Sequence, residues 1–209
     1  MFGLKRLLSE RIDQARVHAL EHVFNTTHKE LRQRFLIATP GLSGAKPPMF
    51  PSTQYLEDID IEALVTMFQI EREQIPVASK VIEGCGFVLL SPGIYVGNSS
   101  AHDMRKVQLA MVNGFGGVVV SVLSNDMDVL WKLHDASLNP PPPWIAFPDM
   151  DPDSLGALQG DVEYWWAAFW NPFWGTLDSA EQVKFLHDRN ATVEWSDCIF
   201  AHRSVVQGS

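Results

Sequence analysis

The chain has 209 residues, 46% of them hydrophobic, with 12 Phe and 7 Trp; that is core material for one domain and too apolar for a disordered chain. No apolar run approaches the roughly 18 residues that span a bilayer, the N-terminus lacks the apolar stretch of a secretory signal, and two cysteines, Cys85 and Cys198, are too few for a disulfide framework. The net charge of −9 divides into eight basic and four acidic residues over 1–50 (+4) and eight basic and 21 acidic over 51–209 (−13), a field that repels phosphate backbones and favours a basic partner. These features point to the reducing cytoplasm, with neither nucleic acid nor membrane as a partner.

Residues 4–35 read as two helices broken near Asn25-Thr26-Thr27. Leu4, Leu8, Ile12, Ala15, Ala19 and Val23 share one face at helical spacing. Inside the first helix stands His18-Ala19-Leu20-Glu21-His22. In an H-x-x-E-H string two histidines one turn apart can hold zinc while the glutamate activates a water. Over about ten residues, Ala15 to Phe24, the segment resembles the pitrilysin-type metallopeptidase motif. The resemblance implies a zinc-dependent hydrolase using His18, Glu21 and His22. Against it, that family places strands ahead of its motif helix, and no downstream third ligand can be singled out. His22 also falls on the apolar face just described, where a packing histidine is the ordinary outcome. Zinc hydrolysis therefore stands as the second reading.

Pro40, Gly41, Gly44, Pro47, Pro48 and Pro51 make 38–54 a loop. It separates an N-terminal helical arm, 1–39, from a body, 55–209, unless the whole of 1–209 is a single domain. Ile61, Leu64, Val65 and Phe68 predict a helix from Asp58 or Asp60 that stops before Pro76. Phe87–Leu90 and Ile94–Val96 predict strands around the turn Ser91-Pro92-Gly93. Ser100-Ala101-His102-Asp103 looks like a capping box opening a helix through Asn113, and Gly117–Leu123 is the clearest strand. Strand, helix and strand would form a parallel βαβ unit. Helices are expected over 126–137, over 155–169 and from Ser179 to about Asp188, with Pro140–Pro143 extended between the first two. The fold class is α+β: several helices around a small sheet, to which 144–147 could add a strand, led by the arm.

No catalytic set emerges. G-x-S-x-G, the phosphate-binding glycine loop and G-x-G-x-x-G are all missing from the sequence, and nothing calls for a cofactor. His102-Asp103, His134-Asp135 and His187-Asp188 are sequence neighbours, which point about 100° apart on a helix and make poor dyads. The unusual region is the last third. All seven Trp lie between Trp131 and Trp195, and residues 125–198 hold 13 acidic and three basic residues, a net of −10. Asp149, Asp151 and Asp153 precede Trp165, Trp166, Trp170 and Trp174. Carboxylates that steer and rings that anchor are what a face for a basic protein needs. The plain alternative is a Trp-rich core with a solvated acidic rim. The first reading is therefore a non-catalytic acidic binding protein, for example an immunity (antidote) protein neutralising a basic toxin such as a nuclease.

Overall fold

The computed structural model describes residues 2–36, 42, 50–97, 105–154 and 158–206. The fold is α+β, built on one six-stranded sheet. The arm is α1 (Phe2–Phe24) and α2 (His28–Arg34), as the sequence suggests. The Thr27 side chain accepts the Glu30 amide, and the Glu30 carboxylate accepts the Thr27 amide, a reciprocal cap that starts α2. Then come β1 (Thr53–Tyr55), β2 (Leu64–Ile70), α3 (Ile75–Gly84), β3 (Phe87–Ser91), β4 (Ile94–Gly97), β5 (Lys106–Gly114) and β6 (Gly117–Ser124). The C-terminal part is helical: α4 (Met127–Asp135), α5 (Pro143–Ala146), α6 (Gly160–Trp165) running through a π-turn (Trp166–Trp170) into α7 (Asn171–Trp174), α8 (Ser179–Asp188) and α9 (Val193–Val206).

The sheet order is β1-β2-β6-β5-β4-β3 and every pair is antiparallel. A meander from β3 to β6 is closed by β2, and α3 carries the chain from β2 to the far edge. The expected βαβ unit is therefore corrected. Residues 98–104, with the expected cap at Ser100, lie outside the described residues, and 106–114 form a strand. Val107, Leu109 and Met111 alternate toward the main core, the period of a strand. The expected helix from Asp58 is likewise a strand over its second half. Leu64, Phe68 and Ile70 join the main core while Val65 packs on the other side. A strand covered on both faces is apolar at neighbouring positions and so imitates helical spacing. Residues 144–147 add no strand, since Pro143–Ala146 are a helical turn. Pro76, expected beyond a helix end, sits in the first turn of α3, where its missing N–H is not needed.

The sheet divides two apolar clusters. On one face Val118, Val120 and Val122 pair across β2 and β5 and join a core with α3, α4 and the C-terminal helices. On the other, Leu20, Phe24, Leu31 and Phe35 of the arm pack with Leu56, Ile59, Ile61 and Leu123. The Phe35 carbonyl accepts the Glu62 amide at 2.9 Å, and the Lys106 ammonium donates to the Arg34 carbonyl at 2.6 Å. Of the expected 38–54 loop, 38–41 and 43–49 lie outside the described residues. Leu42, Phe50 and Pro51 are buried, and 53–54 belong to β1.

Candidate binding surface

The tryptophan segment gains its geometry from the π-turn. Trp165, Phe169 and Phe173 form one i, i+4 row, and Trp166, Trp170 and Trp174 the adjacent one. Both rows turn inward. The exposures of Trp165, Trp166, Trp170 and Trp174 are 0, 2, 1 and 4%. Trp170 stacks between Trp165 (5.7 Å between centroids, 19° between planes) and Trp174 (5.3 Å, 16°). The Trp165 indole N–H donates to the Gln69 side-chain oxygen, and the Gln69 amide donates to the Gly114 and Phe115 carbonyls at 2.8 and 2.9 Å. The ladder thus fastens the helices to β2 and to the β5–β6 turn. Four buried rings cannot anchor a partner on the folded surface, and their place as interface anchors is corrected: they are core. One apolar stripe would not hold them all, but two adjacent rows on a helix enclosed by other elements do.

The outward face of the segment is acidic. Asp161 and Glu163 are exposed, and Tyr164 between them and the π-turn is 50% exposed. Asp149, Asp151 and Asp153 are exposed too, ahead of the 3-10 turn Pro152–Ser154. The Asp153 amide donates to the Asp151 carboxylate at 3.0 Å. That turn rests against α9, where the Cys198 thiol donates to the Pro152 carbonyl at 3.3 Å. Burial and then the Asp153 charge push the Cys198 thiol up. Exposed Asp197 lies one residue away, on the same helix. From 149 to 183 the chain has seven acidic residues and no Lys or Arg. Asp149, Asp153, Asp161 and Glu163 form no salt bridge with another described residue.

The H-x-x-E-H string does lie on a helix, but its surroundings differ from those expected. The buried side of α1 carries Leu20 and Phe24 with Val17 and Val23, whereas Ile12, Ala15, Ala19, His18 and His22 are exposed. His22 is thus not a packing residue. The choice of face by periodicity missed the row that α2 and the sheet cover. Glu21 accepts the His28 amide at 2.7 Å, a bond that turns the chain from α1 into α2. Among the described residues no group of three His, Cys, Asp or Glu side chains is placed to hold a metal.

The other candidates are structural. Cys85 is buried, and burial is the main cause that pushes its thiol up. Its carbonyl accepts from Arg105, which also pairs with the largely buried Asp126 at 2.7 Å. His134 bonds the Phe50 carbonyl and meets Trp131 edge-on. His187 and Asp188 do approach to 3.3 Å, on the exposed side of α8. His102 lies outside the described residues. A cavity of about 530 Å³, lined by Phe50, His134, Phe173, Lys184 and Arg189 among others, gave no signal in the sequence because four separate segments build it. Its cations are paired, Lys184 with Asp188 at 2.5 Å and Arg189 with Glu71 at 2.7 Å.

What the structure defines is an α+β protein with a six-stranded antiparallel sheet, an apolar cluster on each of its faces, and exposed carboxylates in the C-terminal part. Compared with protein families, curated proteins and solved structures, the chain has no match.

Proposed function

We propose that the protein is a non-catalytic binding protein of the cytoplasm whose partner is a basic protein, with neutralisation of a basic toxin as one instance. The observation that supports this reading is the set of five exposed acids, Asp149, Asp151, Asp153, Asp161 and Glu163, in a stretch of sequence that contains no Lys or Arg. Carboxylates in such an array steer a basic partner and speed its encounter. The anchor is not the tryptophan set but Tyr164, a residue type favoured at binding hot spots and half exposed here. No helix of the described residues is long and apolar enough to cross a membrane.

The test is affinity capture at low salt, with the wild-type protein and the Asp149→Lys/Asp151→Lys/Asp153→Lys variant as parallel baits. The wild type should retain a basic protein that elutes as salt rises, because exposed charges more than about 10 Å apart are screened near 0.1 M. The triple variant should lose it while unfolding at the same temperature. Retention of the same partner by both baits would overturn the proposal.

A further inference from the structure

A second concave site lies on the sheet face that carries the arm, away from the acidic surface and independent of the function proposed above. Its volume is about 350 Å³, within the range of small-ligand sites. The walls are Glu30, Gln33 and Arg34 of α2; the floor is Leu90, Ile94 and Val96 of the β3–β4 hairpin with Lys106 of β5. Register explains the floor, since Val96 pairs with Lys106 and Ile94 with Gln108. Leu90 is 68% exposed and Val88, which pairs with Val96, is exposed beside it. These aliphatic side chains share one side of the hairpin and belong to neither apolar cluster of the described residues.

At the helix end of this floor stand two cations. Lys106 spends one of its three donors on the Arg34 carbonyl, and Arg34 spends one N–H on the Gln108 side chain. Neither forms a salt bridge with another described residue. Glu30 is the one carboxylate in the lining; it stands one turn before Arg34 and feels its charge, but one of its oxygens is taken by the Thr27 amide and hydroxyl. Burial, and then the Arg34 charge, pull the Lys106 ammonium down from its ordinary range. Two like charges held together beside an apolar floor are costly unless an anion joins them, and charge-assisted bonds to a carboxylate are what their remaining donors can make.

We propose that this cavity binds an aliphatic monocarboxylate, its head between Arg34 and Lys106 and its chain along Leu90, Ile94 and Val96. The test is titration calorimetry of the intact protein with decanoate, below its micellar range, with acetate and the neutral decanamide as controls. Decanoate should bind in a one-to-one ratio, while each control should bind at least tenfold more weakly, acetate lacking the chain and decanamide the charge. Arg34→Gln should weaken decanoate by about tenfold, the size of one charge-assisted hydrogen bond. Leu90→Glu, at an exposed position where the fold tolerates charge, should abolish it. No decanoate binding to the wild type, equal binding of decanamide, or binding untouched by both substitutions would each overturn the assignment.

Discussion

Trp165→Phe separates a core tryptophan from an interface one. Trp165 is fully buried, and its N–H is a donor to the buried Gln69 side chain. Phenylalanine keeps one ring but removes the N–H and part of the indole volume. Leaving the Gln69 acceptor unpaired costs about 1–3 kcal/mol; the smaller ring adds about 1 kcal/mol of lost contact and cavity. The sum, about 2–4 kcal/mol, is a large share of the roughly 5–15 kcal/mol that holds a domain together. For a chain of 209 residues, each kcal/mol moves the melting temperature by about 2–4 °C. Urea unfolding followed by far-UV circular dichroism, which does not depend on the altered fluorophore, should show a lower midpoint with an unchanged slope. Trp131→Phe is the control: its ring is 41% exposed, and its change should stay within about 0.5 kcal/mol. If the two variants lose equal stability, or Trp165→Phe loses less than about 0.5 kcal/mol, the buried ladder is wrong.

Gly116 adopts φ +70°, and a Cβ there would lie 2.4 Å from the Ile145 carbonyl oxygen; Gly116→Ala should destabilise by more than about 1 kcal/mol in the same urea assay, from strain and collision together. Hydrogen bonds from the Thr27 side chain and then its amide, with Arg34 nearby, hold Glu30 below its ordinary value of 4.5. Since the folded value is the lower one, its stabilising share is complete above about pH 4.5 and is lost as pH falls through the folded value; melting temperatures between pH 6 and 3 should therefore fall less steeply in Glu30→Gln than in the wild type. His18 and His22 are exposed, so His18→Ala and His22→Ala should each shift stability by no more than about 0.5 kcal/mol. Elemental analysis of the same preparations checks the hydrolase reading: a zinc equivalent lost in His22→Ala would revive it.

Where local chemistry suffices, the chain alone determined the structure. The break at Asn25–Thr27, the hairpin turn at Pro92-Gly93, the β6 strand and the helix from Ser179 to Asp188 need only nearby residues, and each is in place. The acidic stretch was legible for the same reason, because charge is a property of composition. The sequence could not show which apolar faces would be covered. Periodicity chose Ile12, Ala15 and Ala19, yet α2 and the sheet cover Leu20 and Phe24. It read β2 as a helix because burial on two sides erases the alternation that marks a strand. It offered the tryptophans as anchors because a single helix has one inner stripe, whereas the β2 and β5–β6 elements and α8 surround this one and bury two rows. The Arg34–Lys106 site had no signature at all: residues 72 positions apart became neighbours only when the arm settled on the sheet. Burial depends on what packs against a residue from elsewhere in the chain, and tertiary contact alone supplies that partner.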